Sequence, residues 1–494
     1  MAEKDMSFLG LNRPQYVPSP ELFVSELAWS LVDDTARQAL ASGDAKNGLA
    51  YTSRGAKPQK AGILFTRPEK GSGPHDRLGD ALDVKLNLGP SASRHAAEVL
   101  LDELEAISSN RATRATVVPL TGLLSLLQDR RGISGQRNPP NIALILEQLF
   151  ALGGTEGTAA GAWLRGVSPA HGAGIPGWLD EVLGEIVPPE VRPALEELGA
   201  LGTSALAGKT LEVRRPAWIE RSGNTPFHWF HSAWTNLCQS GWVAAMPRRR
   251  WTDWASCITR TALASGFLFE MHLNRRLVAA LASEESADAV VDAMMDQSGW
   301  LFTWDDRLSK SSGDVGPVIN ELSASGTACQ ALLDDLARTH EGIPEPRAFD
   351  EDPNGLVAWL ERARDATRGS RAQVERDLAA ALEASPPSSA KNVRETIRYS
   401  LLARGNATSL DLYALLKTAG RYTCVDPGQE WLVTVSSLCS REPGIPSRLA
   451  DLYRALGQVG IKASASSIVP RLETYGLARG SHDADQAIEL EPAF

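Results

Sequence analysis

Apolar side chains recur every three or four residues along most of this chain, a spacing that predicts a mainly α-helical protein. A first helix is expected to begin at Pro20, after the N-cap residue Ser19, and to continue to about Leu40. Further helices are predicted at about 93–107, 120–131, 141–154, 189–201, 227–282, 287–295, 316–338, 355–366 and 371–382. Strand-like apolar patterns occur at 62–68 and 81–88, so two short strands are expected in a small mixed α/β N-terminal region.

Breaks between these patterns divide the 494 residues into five predicted parts. Residues 1–90 hold the first helix and the mixed α/β region or a mobile arm, and residues 91–210 form a helical domain. Residues 211–345 form a central helical domain rich in Trp and Arg, followed by a helical connector at 346–388 and a C-terminal region at 389–494. Adjacent prolines and small polar residues predict a linker at 383–392. The expected fold class is therefore mainly α and multi-domain.

The charge and amino-acid composition of the chain limit the classes of protein to which it could belong. The net charge of −10 argues against a chain coated with nucleic acid, although it allows a local basic site. The N-terminus lacks the layout of a signal peptide, and no uncharged apolar run approaches about 18 residues, so we expect a cytoplasmic protein without a membrane span. The five cysteines are widely separated and form no C-x-x-C pair, so neither a disulfide framework nor a metal site is expected. No cofactor and no small-molecule substrate are indicated.

The last part of the chain carries three helix patterns followed by strand, turn and strand. The first pattern opens with an N-cap carboxylate at Asp426 and a first-turn proline, and the third closes at Gly476. Over roughly the last seventy residues this order resembles the winged helix-turn-helix superfamily. In that family the third helix enters the major groove of DNA, and the turn between the strands forms the wing, here at 480–485.

The resemblance implies a set of DNA contacts from the third helix and its surroundings: Lys462, Ser464, Ser466, Ser467, Arg471 and Arg479. Two features oppose this interpretation. Pro470 removes a backbone donor within the third helix, and acidic residues make the wing negative, at Asp483, Asp485, Glu489 and Glu491. DNA contact and protein docking by this module therefore both stay open.

A block of arginines and tryptophans occupies residues 211–276. It contains nine arginines, no lysine and four acids, so its net charge of +5 contrasts with the −15 of the remaining chain. Six of the chain's 13 tryptophans lie within residues 218–254. One interpretation is a tryptophan-rich core whose rim arginines pair with acids, and the other is a nucleic-acid or partner surface beside an aromatic platform. The binding candidates of the second interpretation are Arg214, Arg215, Arg248, Arg249 and Arg250.

Catalytic motifs are scarce. Asp83 and Lys85, read as part of a strand, resemble the acidic-x-lysine half of metal-dependent nucleases, and Asp76 or Asp80 would complete a carboxylate pair for Mg²⁺. No G-x-S-x-G, H-E-x-x-H or G-x-G-x-x-G motif is present.

These features together favour a non-catalytic subunit. The leading hypothesis is a DNA-engaging or scaffolding component of a bacterial multiprotein system with other protein subunits as partners. Phage defence or DNA restriction is the assembly class suggested by analogy with winged-helix accessory subunits. The alternatives are a nuclease that uses Asp83 and Lys85, and a transcription regulator.

Overall fold

The computed structural model describes residues 4–14, 20–31, 68–104, 117–121, 124–125, 142–167, 179, 181–183, 214–295, 302–383, 388–406, 409–478 and 488–494. Helices dominate these residues, as the spacing of apolar positions predicts. In chain order they are α1 (Pro20–Leu31), α2 (Gly73–Leu86), α3 (Pro90–Leu104), α4 (Ile142–Gly153), α5 (Ala159–Val167), α6 (Pro226–Leu237), α7 (Ser240–Ala245), α8 (Arg248–Ala282), α9 (Ala287–Met295), α10 (Gly316–Thr339), α11 (Gly355–Thr367), α12 (Arg371–Glu383), α13 (Ser388–Leu401), α14 (Gln429–Ser437), α15 (Leu449–Gln458) and α16 (Ala465–Thr474).

The strands of the described residues are short and form two-stranded pairs. They are β1 (Phe302–Trp304), β2 (Gly405–Asn406), β3 (Ser409–Leu410), β4 (Leu416–Ala419), β5 (Tyr422–Val425), β6 (Ser447–Arg448), β7 (Ile461–Ala463) and β8 (Glu489–Leu490). Strand β1 pairs in parallel with β7, whereas β2 with β3, β4 with β5 and β6 with β8 are antiparallel.

Helix α8 is the centre of the molecule. Its 35 residues correspond to a rod of about 52 Å, and most of its side chains are buried. Helices α1, α4, α6, α10, α13 and α14 all contact it. Because neighbours surround α8, apolar side chains are stabilised at every angle around its axis.

Two glycines let helices approach α8 closely. A Cβ atom at Gly266 of α8 would lie 2.5 Å from the Leu149 side chain of α4. A Cβ atom at Gly326 of α10 would lie 2.6 Å from the backbone and side chain of Met271 in α8. Both helix crossings therefore depend on the absence of a side chain.

The N-terminal segment 4–14 is an extended strap along the helices. Lys4 donates from Nζ to the carbonyl of Ile343, 2.7 Å away, and the Phe8 ring meets Trp359 of α11 edge-on at 4.7 Å between centroids. The Gln148 side chain of α4 donates to the Gly10 carbonyl at 2.8 Å. These contacts join the start of the chain to helices that are distant in sequence.

The C-terminal region runs α14, β6, α15, β7, α16 and then β8. Strand β6 pairs with β8, and Ala478 forms an antiparallel bridge to Leu490 on the same strand. Helix α16 ends at the C-cap Tyr475, and the next residue, Gly476, has φ +73°, which is favourable for glycine. The predicted helix end is confirmed.

The buried apolar side chains form one contiguous cluster that reaches from Met6 to Leu490. It includes residues of every predicted part, because α8 packs against elements from both ends of the chain. The four boundaries between the five predicted parts stay predictions.

Most helix predictions that fall on described residues are confirmed. The helix at 287–295 has the predicted bounds, and those at 316–338, 355–366 and 371–382 agree to within one residue. Helices α3 and α4 confirm the predictions at 93–107 and 141–154, and the run at 227–282 is divided into α6, α7 and α8. The predictions at 62–68, 120–131 and 189–201, and the extension of α1 to Leu40, lie wholly or mostly outside the described residues.

Three local predictions are wrong. Residues 81–86 belong to α2 and not to a strand, because Ser72 caps that helix and Leu78 and Leu82 bury one face of it. The linker predicted at 383–392 is helical from Ser388 onward. The N-cap of α14 is Gly428, without a side-chain hydrogen bond, and Asp426 instead pairs with Arg471.

Candidate nucleic-acid or partner interface

The tryptophans of the Arg–Trp block are packed inside the protein. The Trp163 and Trp251 rings stack with centroids 4.3 Å apart and an interplanar angle of 11°, and Trp234 lies 6.0 Å from Trp163. The indole N–H of Trp234 donates to the Ala159 carbonyl at 2.9 Å, and that of Trp251 donates to Leu237 at 2.8 Å. All six tryptophans of 218–254 are buried. They form a tryptophan-rich core and cannot act as an exposed stacking platform, whereas partner binding by the neighbouring arginines stays a prediction.

The five binding candidates of the block all have partners within the chain. Arg214 makes a bidentate contact with Asp350 at 2.6 and 2.7 Å, and Arg215 pairs with Glu220. Arg249 lies 3.1 Å from Asp253, one helical turn away, and Arg250 pairs with Glu430 of α14. Arg248 donates to the Gly166 carbonyl at 3.1 Å and stacks on the Trp251 ring.

These contacts offset the positive charge of the candidate arginines with acids and carbonyl groups of the same chain. The Arg249–Asp253 pair lies within α8 and is partly buried; burial raises the pKa of Asp253 to about 6 even though Arg249 opposes the shift. Arg214, Arg249 and Arg250 each join elements that are far apart in sequence, by contacting Asp350, Glu103 and Glu430 respectively. Their observed contacts stabilise the fold.

A buried ionic network was missed by the sequence analysis. Arg260 of α8 donates to Asp411 at 2.8 Å, and Arg404 contacts the same carboxylate at 3.3 Å. Arg404 also makes a bidentate contact with Glu21 of α1, at 3.0 and 3.1 Å. Burial opposes ionisation of Asp411, but Arg260 and Arg404 hold its pKa below the usual range. Arg404 likewise holds the pKa of Glu21 below its usual range against the effect of burial.

The network joins three distant parts of the chain. Its two arginines and two carboxylates balance in charge, and the remaining Arg260 donors bond to the carbonyls of Ser400 and Leu402 at the end of α13. The N-terminal helix, the central helix and the C-terminal region are therefore connected in the interior.

The third helix of the C-terminal region is held by the segment that follows β1. Ser467 is buried, and its Oγ accepts a hydrogen bond from the Asp306 backbone N–H at 2.8 Å. Arg471 pairs with Asp306 at 2.9 Å and with Asp426 at 3.0 Å, and its guanidinium also lies over the Trp304 ring. Both side chains were predicted to contact DNA, and both are engaged within the chain.

The other residues implied by the winged-helix resemblance are placed differently. The backbone N–H of Ser464 donates to the Trp304 carbonyl at 3.0 Å, while Lys462 and Ser466 are exposed. Arg479 lies outside the described residues. Lys462 and Ser466 are thus the two predicted contacts whose side chains face solvent in the described part of this region.

The nuclease candidates lie on helix α2. Because Asp83 and Lys85 are helical, their side chains point about 200° apart, which removes the strand geometry on which the acidic-x-lysine hypothesis rested. Asp83 accepts the Gly89 backbone N–H in the turn to α3, and Lys85 pairs with Glu181. Asp80 is exposed on the same helix.

Asp76 lies in a cleft of about 690 Å³ between α2 and α3, also lined by Lys70, His75, Arg94, His95 and Glu98. Its carboxylate lies 3.5 Å from Arg94 Nε, and buried His75 Nε2 lies 2.7 Å from Glu98 Oε1. Within the described ranges, no three His, Cys, Asp or Glu side chains converge so that they could hold a metal ion.

The fold and these contacts define a mainly helical protein. Its C-terminal region contains three helices, α14 to α16, and α14 packs against the long central helix α8. Compared with family models, curated proteins and solved structures, the chain shows no significant match. None of the helices in the described part combines the length and apolar character that crossing a membrane requires.

Proposed function

We propose that this chain is a non-catalytic scaffolding subunit of a bacterial multiprotein assembly and acts in the cytoplasm. Its C-terminal region is proposed to be a winged-helix module that docks protein partners. The order of its elements supports this module. Strand β8 follows the three helices α14, α15 and α16, and it pairs with β6 and with Ala478.

One observation carries the scaffolding role: Arg471 and Ser467, on the helix that would read DNA, are committed to Asp306 and Asp426. A recognition helix needs those side chains free to reach base edges and phosphates. Exposed acids on either side of Leu490, at Glu489 and Glu491, would also repel a phosphate backbone. Docking of a protein partner needs neither free side chains at these two positions nor a surface without acids.

Phage defence or DNA restriction is the assembly class that we propose. Winged-helix accessory subunits of such systems provide the analogy, which depends on the proposed module. The neighbouring genes would name the assembly, since an ATPase, a methylase or a nuclease beside this gene would identify its partners.

Co-expression with the products of adjacent genes tests the proposal. We expect a complex of fixed stoichiometry on size-exclusion chromatography, and a Ser466→Glu substitution on the exposed face of α16 should weaken it. An Asp335→Lys variant on the exposed face of α10 is the matched control. A chain that remains alone with every product would contradict the scaffolding role.

The two alternatives give different results in the same preparations. A nuclease would show Mg²⁺-dependent cleavage that disappears in Lys85→Ala. A transcription regulator would bind one duplex sequence preferentially and lose that preference in Lys462→Ala or Ser466→Ala.

A further inference from the structure

Helix α13 has one buried and one exposed face. Ala390, Val393, Ile397 and Leu401 are buried, and the helix packs against α8 and α10. At 100° per residue, the opposite face carries a set of polar and aromatic side chains within an arc of about 140°. That set consists of Lys391, Arg394, Glu395, Arg398 and Tyr399.

The arginines of this face differ from those of the Arg–Trp block. Within the described residues, the side chains of Arg394 and Arg398 have no ion pair and no hydrogen bond, whereas the five binding candidates of the block all have partners. Lys391 lies 4.0 Å from Glu395, an exposed contact that contributes little. The three cations exceed the single acid, so residues 388–401 carry a net charge of +2.

Tyr399 adds an aromatic surface to these cations. Its exposed fraction is 53%, and it is the one exposed aromatic side chain among the described residues. Aromatic side chains are usually buried, because exposing a ring forfeits the free energy of burial. A ring exposed beside arginines has the composition of a surface that binds single-stranded nucleic acid.

The dimensions of the face also suit a short nucleic-acid strand. Lys391 and Arg398 are separated by seven residues, or about 10 Å along the helix axis. A stacked strand rises about 3.4 Å per nucleotide, so the three cations span about three nucleotides. Duplex DNA offers phosphates at a similar spacing, but its bases are stacked in the helix and cannot cover Tyr399.

We propose that Lys391, Arg394, Arg398 and Tyr399 form a binding surface for single-stranded nucleic acid. Lys391, Arg394 and Arg398 contact phosphates, and Tyr399 stacks on one base. This site is independent of the protein-docking role and involves neither the Arg–Trp block nor α16.

Fluorescence anisotropy of the full chain with a labelled oligothymidylate of about twelve nucleotides tests the proposal. Between about 50 and 200 mM salt, three phosphate contacts predict a slope of log K against log salt near −2. The double variant Arg394→Ala/Arg398→Ala should reduce the slope by about 1.4. Arg347→Ala, which removes an exposed arginine far along the chain, should leave it unchanged.

The stacking contact has its own test. Tyr399→Ala should weaken binding by about tenfold with little change in the salt slope, whereas Tyr399→Phe should bind like the parent.

Equal or tighter binding of a matched duplex would overturn the assignment to single strands. Full displacement by a polyglutamate peptide would assign the face to acidic proteins. Binding unaffected by the arginine and tyrosine variants would exclude this surface, and circular dichroism checks that each variant is folded.

Discussion

Removing Asp411 should destabilise the protein more than removing Arg260, one of the two arginines that contact it. Asp411 accepts hydrogen bonds from Arg260 at 2.8 Å and Arg404 at 3.3 Å, and its side chain is fully buried. In Asp411→Leu, Arg404 keeps its bidentate contact with Glu21, but Arg260 is left as a buried charge without an acid. Breaking a buried pair in this way costs about 3–5 kcal/mol of unfolding free energy.

Arg260→Met should cost less, about 1–3 kcal/mol. Asp411 then keeps Arg404 and the backbone N–H of Tyr413 at 3.2 Å, although the Ser400 and Leu402 carbonyls lose a donor. In the double variant Arg260→Met/Asp411→Leu no unpaired Arg260 charge remains, so its cost should fall well below the sum of the single variants.

Urea unfolding followed by tryptophan fluorescence measures these costs. Arg338→Met, which breaks an exposed pair with Asp335, is the control and should cost less than about 1 kcal/mol. An Asp411→Leu variant as stable as this control would show that Arg260 is not left as a costly buried charge. Single costs that simply add in the double variant would show the same.

Two further predictions concern pH and helix packing. Burial raises the pKa of Glu147 to about 6, although its carboxylate accepts the backbone N–H groups of residues 159 and 160. Because the pKa of Glu147 is higher in the folded than in the unfolded protein, the folded protein holds a proton that the unfolded chain releases. Stability therefore falls by about 1 kcal/mol as pH rises from 4.5 to about 6. This loss should be absent from Glu147→Gln in urea titrations at both pH values. Gly326→Ala places a Cβ 2.6 Å from Met271 and should cost about 1–3 kcal/mol in thermal or urea unfolding. Gly457→Ala faces open space within α15 and should instead add about 0.5–1 kcal/mol, so equal effects at both glycines would contradict the packing argument.

The helices of the central region were predictable because their signals are local. Pro317 lies in the first turn of α10, and Pro346 begins a 3₁₀ turn. The amphipathic spacing of α9 to α12 predicts the ends of these helices to within one residue. The segment 81–88 failed for a different reason. Its apolar residues alternate over a short stretch, but packing of Leu78 and Leu82 against α3 decides the conformation.

Long-range pairing could not be read from the sequence. Glu21 and Arg404 lie 383 positions apart, and nothing local marks either as the other's partner. The Arg–Trp block was located correctly, but its acids, such as Asp350 and Glu430, come from distant elements. The exposed face of α13 did have a local signal, because Lys391, Arg394 and Arg398 lie three and four residues apart. The interpretation of 383–392 as a linker divided this pattern, so no helix was predicted there.

Our main proposal is that the arginines of the Arg–Trp block stabilise the fold and do not hold nucleic acid. Its most direct test is the triple variant Arg248→Ala/Arg249→Ala/Arg250→Ala, measured for urea stability and for oligonucleotide binding at low and high salt. We expect a lower unfolding midpoint, since Asp253, Glu430 and the Gly166 carbonyl lose their partners. Nucleic-acid affinity should be unchanged at both salt concentrations. An unchanged midpoint together with a salt-dependent loss of binding would contradict this proposal.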